Sequence, residues 1–398
     1  MILASTSCFD GVRLPLPTAQ KHSDDATDCP TVLVLGMGDT GVLTAAHLPR
    51  GCRVVGVTTK PLLVSGQELG QRLSDQDNWR RDYLLPLAKF RRLGRVEIIH
   101  GRVTVIDPDH RTATVATAAG DERHLVWDYL IIATGVSNGF WRDDRVETAA
   151  SIERRLSAQV ASVEAAGAIA VVGGGPCGTS TAFNLKRAYP DKEVTLYVSG
   201  LLPLRGYAHE TRHYHRDALR QQGVLLVTNR RVVLPATEAQ AQLTGGRLQF
   251  EDESPEVRAD LIIWTAGQLR PHTDFLPGHM LDERGFVLTD AHLNARGYSR
   301  IFAIGDVAAT DPLRCSARNW AYRTLCRNVA ACLDNRVPTA VFTPPTARWG
   351  SVLGVQPEGL KLHGPQGKRR RLPRSFVRRF LYPFIVRRWI YGGTTDGR

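Results

Sequence analysis

The chain has 398 residues, of which 43% are hydrophobic, 23% charged and 7% aromatic, the balance of a globular protein with two or three sizeable cores rather than one small stapled one. Lys and Arg (51) exceed Asp and Glu (39) to give +12, but eleven basic side chains against one acid between Lys361 and Arg398 hold +10 of it. A uniformly basic nucleic-acid coat is thereby excluded, and the end of the chain calls for a local anionic partner. The seven cysteines (Cys8, Cys29, Cys52, Cys177, Cys315, Cys326 and Cys332) are scattered without a C-x-x-C pair, which argues against a disulfide framework, a zinc site or a dithiol centre and for a reducing, cytoplasmic setting. Residues 1–30 read as a flexible polar leader with no signal-peptide pattern. No run of eighteen apolar residues spans a bilayer.

The first pattern is an apolar strand, Thr31–Leu35, running into Gly36-Met37-Gly38-Asp39-Thr40-Gly41 and then a helix over Val42–Leu48. Glycines at this spacing let the chain turn sharply and bring bare backbone against a pyrophosphate at a helix N-terminus. A second strand, Arg53–Val57, ends at Thr58, Thr59 and Lys60. The usual fingerprint puts an acid here to hold a ribose, and Thr58 offers a hydroxyl in its place. Four short alternating segments, 96–100, 102–106, 112–115 and 125–127, separated by turn formers, predict an antiparallel β-meander. A buried strand from Asp128 follows, closing at Thr134 and Gly135.

The arrangement then repeats. Ala168–Val172 enters Gly173-Gly174-Gly175-Pro176-Cys177-Gly178, a helix covers Thr179–Arg187, and Glu193–Val198 is the next strand, ending at Ser199 with Arg205 nearby. This unit closes at Thr265, Ala266 and Gly267, and a later strand from Tyr298 ends at Gly305 and Asp306, where ligands of open α/β sheets bind. The fold class is α/β: two Rossmann-like dinucleotide-binding domains, the second inserted in the first, with an antiparallel β-meander and a basic C-terminal helical tail. The expected boundaries are a leader over 1–30, a first domain over 31–148 and 268–345, a second over 149–267 and a basic aromatic tail over 346–398.

The ordered set of glycine loops and closing motifs resembles the two-dinucleotide flavoprotein oxidoreductases, in the branch of type II NADH dehydrogenases, apoptosis-inducing factor and ferroptosis suppressor protein, over about Thr31–Asn335. The resemblance implies FAD on the first unit, held by Gly36, Gly38, Thr40, Gly41, Thr58, Thr134, Gly135 and Gly305, with Asp306 on its ribityl chain and Lys60 toward its adenosine or pyrophosphate. It implies NAD(P)H on the second, at Gly173, Gly175, Pro176, Gly178, Ser199, Ala266 and Gly267. Arg205 is the partner expected for a 2′-phosphate, since no carboxylate ends that strand. This chain departs from the family in lacking the dithiol relatives' cysteine pair, in carrying Ser180 where a glutamate is frequent, and in carrying Ser316–Arg323 where quinone reducers have a glutamine-bearing helix.

The expected activity is hydride transfer from NAD(P)H to FAD and electron transfer to a second acceptor, a quinone at a membrane surface being one class. Positioning suffices for that chemistry, so neither a catalytic acid–base residue nor a metal ligand is singled out. The alternatives are a redox-responsive NAD(P)H- and FAD-binding signalling protein, and a reductase of a small acidic electron-transfer protein. Cys177 reads as a small spacer in a tight loop; His209, His213 and His215 read as a solvated helix face. Residues 65–70 read equally as loop structure or as part of acceptor selection. Helical spacing sets Phe376, Phe380 and Phe384 on one side of the tail among arginines, with Pro383 marking a kink or break. That mixture suits an anionic membrane surface, on the inner face of the membrane, better than packing on the body or nucleic acid.

Overall fold

The computed structural model describes residues 29–64, 69–314 and 320–395. The leader to residue 28, the segment 65–68, the residues 315–319 of the expected acceptor helix and the last three residues lie outside these.

In the first unit, β1 (Thr31–Leu35) is buried from Val32 onward, as a strand covered on both faces must be. It is followed by α1 (Asp39–His47) and β2 (Arg53–Thr58). The next strand of this sheet corrects the expected break at Gly101: β3 (Val96–Asp107) is continuous. Glycine is needed at 101 for close approach rather than for a turn, since a Cβ there would lie 2.5 Å from the Ala116 carbonyl oxygen. β4 (Thr112–Thr117) and β5 (Glu122–Val126) complete the meander, and β6 (Tyr129–Ile132) returns to the sheet.

The second unit opens with α2 (Ala149–Ala165), whose N-cap Thr148 accepts a hydrogen bond from the Ser151 N–H. It continues with β7 (Ala168–Val172), α3 (Pro176–Ala188), β8 (Glu193–Tyr197), α4 (His209–Gln222), β9 (Leu225–Val227), β10 (Thr244–Leu248) and β11 (Val257–Trp264). Its sheet runs β9-β8-β7-β11-β10, parallel except for β10. The chain then returns through β12 (Ile301–Ala303) to α5 (Ala321–Leu333). The first sheet has seven strands in the order β12-β6-β1-β2-β3-β4-β5, with β12 through β3 parallel and the meander antiparallel. Outward and return crossovers between the units pair as a short ribbon, Val136–Ser137 against Arg270–Pro271.

The stretch from residue 346 divides in two. β13 (Val355–Gln356), β14 (Gly359–His363) and β15 (Arg369–Leu372) form a small antiparallel sheet. It packs on the second unit: the Asn184 side-chain amide donates to the Leu353 carbonyl (3.1 Å), and that of Gln356 donates to the Asn184 oxygen (3.1 Å). A helical segment over 374–390 follows, its part Val377–Ile390 a π-helix. Pro383 does not end it. The histidine cluster on α4 also differs from expectation: His209 is exposed and His213 half-buried, but His215 is buried against His363 of β14, ring centroids 4.7 Å apart.

Candidate functional site

The two glycine loops repeat one division of labour. Gly36 (φ +92°) and Gly173 (φ +122°) occupy the left-handed region. Gly41 and Gly178 let each helix lie on its own loop, since a Cβ would fall 1.8 Å from the Gly36 oxygen and 1.9 Å from the Gly173 oxygen. Gly38 and Gly175 have nothing within 4 Å of a Cβ position. The middle glycine of each loop therefore faces open space at a helix N-terminus, where free N–H groups attract a phosphate.

Both middle glycines line one cavity of about 530 Å³, within the range of small-molecule sites. Of the residues expected from sequence, Gly36, Gly38, Thr40, Thr58, Lys60, Thr134, Gly135, Gly175, Pro176, Gly305 and Asp306 line it. The end of β12 meets the start of α1 there, Gly305 being so close that a Cβ would lie 3.2 Å from the Thr40 hydroxyl. Gly41, Gly173 and Gly178 sit behind the wall as packing positions. Thr265 lines the cavity, while Ala266 packs against the core of the second sheet and Gly267 (φ +123°) abuts Gln240. Ser199 and Arg205 are exposed and outside the cavity. The loop bearing Arg205 is nevertheless tied to the second glycine loop, for Leu204 N–H donates to the Gly174 carbonyl over 2.6 Å.

The charges of the cavity are arranged by partners remote in sequence. Arg142 donates to Asp306 at 2.5 Å. Burial works to lower the pKa of this guanidinium, but the charge and hydrogen bond of Asp306, with the Asp39 charge, together raise it, so the guanidinium stays charged. Lys60 pairs with Asp143 at 3.1 Å and Glu147 at 3.8 Å, and Arg155 bridges the same two acids from α2. Burial alone would raise the Asp143 pKa, but Lys60, Arg145 and Arg155 together hold it well below the usual carboxylate range. Thr58 donates its hydroxyl to the Lys60 carbonyl at 2.8 Å and accepts the Lys60 N–H at 3.3 Å, so that one lone pair remains for a ribose. The Cys177 thiol is pushed up to about 12 by burial, which keeps it a neutral wall residue.

Several wall residues had no local sequence signal. Trp141, Arg142, Asp143 and Arg155 come from the crossover and α2, Tyr207 and His272 from loops, and Arg348, Ser351 and Val352 from the stretch expected to be tail. His272 closes the crossover, its ring nitrogens hydrogen-bonding the Thr134 carbonyl at 2.9 Å and the Ser137 hydroxyl at 2.7 Å. Only the charged cluster 142–145 could have drawn attention as sequence. In the expected acceptor helix, Trp320 and Arg323 stack on each other (4.0 Å) without lining the cavity.

Among curated proteins the chain is similar to the oxidoreductase ptaL of Pestalotiopsis fici, 27% identical over 275 residues, covering 65% of this chain and 69% of that protein. Human ferroptosis suppressor protein 1 is 28% identical over 212 residues, 51% of this chain and 55% of its own length. Among solved structures the sulfide:quinone oxidoreductase of Aquifex aeolicus superposes with a TM-score of 0.62 over 86% of each chain at 17% identity, a likeness of fold. The profile of the pyridine nucleotide-disulphide oxidoreductases matches residues 30–329. Two glycine loops opening on one cavity, an acid returning to it from a later strand, and that match together establish that the chain belongs to the pyridine nucleotide-disulphide oxidoreductase family, whose cofactors are FAD and a nicotinamide nucleotide.

Proposed function

We propose that this protein takes hydride from NAD(P)H onto FAD and passes the electrons to a second acceptor, a quinone delivered at an anionic membrane surface. The observation that carries the reading is the single cavity reached by both glycine loops and closed by Gly305 and Asp306. FAD would be held by the domain of residues 31–148 and 268–345, with its pyrophosphate at Gly38 and the N-terminus of α1. NAD(P)H would be held by residues 149–267, with its pyrophosphate at Gly175 and the N-terminus of α3. When bound, FAD supplies the two-electron chemistry.

The chain's own part is orientation and exclusion of water. The ion pair with Arg142 fixes the Asp306 carboxylate, leaving its remaining lone pairs for the hydroxyls of a ribityl chain. Lys60 is fixed by Asp143 and Glu147, so that it presents a charge of set position rather than a mobile one. Trp141, Tyr207 and Val352 supply apolar wall from three separate segments.

Quinone as acceptor is supported by the activity in the name of the Aquifex aeolicus structure and by the exposed aromatic and basic face of the C-terminal helix. NADPH should serve at least as well as NADH, because no carboxylate stands at the end of the strand that leads to Ser199 and Arg205 stands on a loop pinned to Gly174. The deciding experiment is anaerobic reduction of the FAD-loaded protein by NADH and by NADPH, followed by turnover with a series of acceptors. No bleaching of the flavin by either nucleotide overturns the reading. A strong NADH preference unchanged in Arg205→Ala overturns the NADPH part alone.

A further inference from the structure

One wall of the cavity comes from a segment that the family match does not reach. Residues 348–352 lie beyond the matched residues 30–329, yet Arg348, Ser351 and Val352 line the cavity with the second glycine loop. The segment is fixed at several points. Arg348 N–H donates to the Gly206 carbonyl (2.8 Å), and Leu204 N–H of the same loop donates to the Gly174 carbonyl (2.6 Å), so two hydrogen bonds tie Arg348 to the glycine loop. Gly350 and His363 of β14 exchange backbone hydrogen bonds of 2.8 and 3.0 Å. Val352 and Leu353 are buried in one cluster with Leu204 and Tyr207, and the Gln71 side-chain amide donates to the Val355 carbonyl at 3.1 Å.

On this fixed backbone the Arg348 side chain stands apart from the other cations of the wall. It is half-buried, and its stem passes Gly206 (φ +89°) so closely that a Cβ there would lie 3.6 Å from Cδ and 3.8 Å from Nε. The remaining basic side chains of the cavity are committed to the protein itself: Lys60 to Asp143, Arg102 to Asp144, Arg142 to Asp306, Arg155 to Asp143 and Glu147, and Arg314 to the Ala308 carbonyl. The Arg348 guanidinium makes no hydrogen bond or ion pair among the described residues. Its donors are therefore available to an anion in the cavity. The neighbours tell which anion. The second unit contributes Gly175, Pro176, Cys177, Ser180, Tyr207 and Thr265 to the same wall. Ser199 and Arg205, where a 2′-phosphate is expected, stand outside it. A guanidinium that shares the cavity with Gly175 and not with Ser199 is placed for a pyrophosphate. The N-terminus of a helix offers only about half a charge, to which a guanidinium adds a full one and a planar fork of donors.

We propose that Arg348 is a phosphate-binding residue of the nicotinamide-nucleotide site, holding the pyrophosphate together with the N-terminus of α3. The C-terminal segment is then part of the nucleotide site and not only a cover for the second unit. Because the pyrophosphate is common to both nucleotides, Arg348 serves NADH and NADPH alike, whereas Arg205 would tell them apart. The inference rests on the NAD(P)H placement proposed above.

The test compares FAD-loaded wild-type protein, Arg348→Gln, which removes the charge, and Arg348→Lys, which keeps the charge without the fork. Each is titrated calorimetrically with NAD+, with NADP+ and with ADP-ribose, which carries the pyrophosphate but neither a 2′-phosphate nor a nicotinamide. Arg348→Gln should weaken all three by about tenfold or more and to the same extent, as loss of a charge-assisted contact does. Its FAD content and its melting temperature without nucleotide should stay at the wild-type values, because the side chain bonds nothing in the protein. Arg348→Lys should recover part of the lost affinity. Unchanged ADP-ribose affinity in Arg348→Gln overturns the proposal. So does a loss confined to NADP+, which would assign the side chain to a 2′-phosphate, and so does a lowered melting temperature, which would assign it to packing. If the wild-type protein binds none of the three, the nucleotide placement falls and this inference falls with it. Normal wild-type binding with an unaffected Arg348→Gln fails this inference alone.

Discussion

The hydroxyl of Tyr391 donates a 3.0 Å hydrogen bond to the carboxylate of Asp39, the first residue of α1 and the neighbour of Gly38. Tyr391 is buried, its ring 5.5 Å from that of Phe90, and burial together with the Asp39 charge raises its pKa well above the ordinary tyrosine value. The C-terminal helix is thereby fastened to the loop proposed to receive the pyrophosphate of FAD. A bond to a charged acceptor contributes roughly 1.5–3 kcal/mol.

Tyr391→Phe removes that bond and little else. It should lower stability by about 1–2 kcal/mol and weaken FAD binding, because the Asp39 side chain at the mouth of the site loses one of its restraints. Denaturant unfolding and flavin titration check this. Unchanged FAD affinity would show that the fastening is purely structural.

The three glycines of the first loop should respond differently to one added methyl group. Gly38→Ala, whose new Cβ meets nothing within 4 Å, should fold with near-native stability and lose FAD affinity at least tenfold. Gly41→Ala, whose Cβ would lie 1.8 Å from the Gly36 oxygen, should be destabilised by several kcal/mol or fail to fold, as overpacking against backbone does. Thermal unfolding without cofactor separates the two. Equal stability of both variants would sink this account of the loop.

Buried His215 and His363 make the docking of the C-terminal sheet sensitive to acid. Burial lowers the His215 pKa to about 3 and that of His363 to about 4, with Arg369 and Lys361 adding to the effect. Both values lie below the ordinary 6.5, so the unfolded chain binds more protons in the intervening window and stability falls as pH falls from about 6.5 toward 4. Each histidine contributes a slope of about 1.4 kcal/mol per pH unit at most. Urea unfolding over that window should show the slope, and His363→Phe should reduce it. An unchanged slope in that variant would remove the histidine pair as its cause.

What the sequence made legible was local. Strands β1 and β7 are short apolar runs, and the glycine loops follow them directly, so periodicity and spacing sufficed for the paired units, and the family resemblance carried by those motifs pointed to eleven of the residues that line the cavity. The electrostatics were not local. Arg142 and Asp306 are 164 residues apart, and Lys60 and Asp143 are 83 apart, so no window of sequence contains either pair. Arg348 escaped for the same reason, since an arginine between Ala347 and Trp349 gives no sign that Gly206 will lie beside it. Gly101 misled because one residue type serves both turns and close approach, and only the cross-strand neighbour tells which. His215 misled because an otherwise polar helix buries one narrow stripe, and the strand that covers it lies far along the chain.

The C-terminal helix presents two faces, and their separation sharpens the membrane reading. One face is docked: Val377 is buried, Tyr382 meets the Tyr83 hydroxyl, and Arg387 donates to Asp82 at 2.9 Å. On the other, Phe376, Phe380 and Phe384 form a row with centroids 5.8 and 6.1 Å apart. The last two are 52% and 51% exposed, and Trp389 is 71% exposed. Arg374, Arg378, Arg379 and Arg388 are exposed around them. Among the described residues no helix is long and apolar enough to cross a membrane, and a row of this kind suits the headgroup plane, where each basic residue adds about 1 kcal/mol at an anionic surface. Truncating the chain before the helix would be a poor test, because it would also remove Tyr391, which holds Asp39. Phe380→Glu combined with Phe384→Glu alters only the exposed row. This variant should keep the wild-type melting temperature and lose at least tenfold in co-sedimentation with anionic vesicles. Wild-type binding should fall with salt without vanishing, since the apolar contribution survives screening. Equal sedimentation of the two proteins, or no wild-type binding at low salt, would leave the helix as a packing element and withdraw the membrane argument for a quinone.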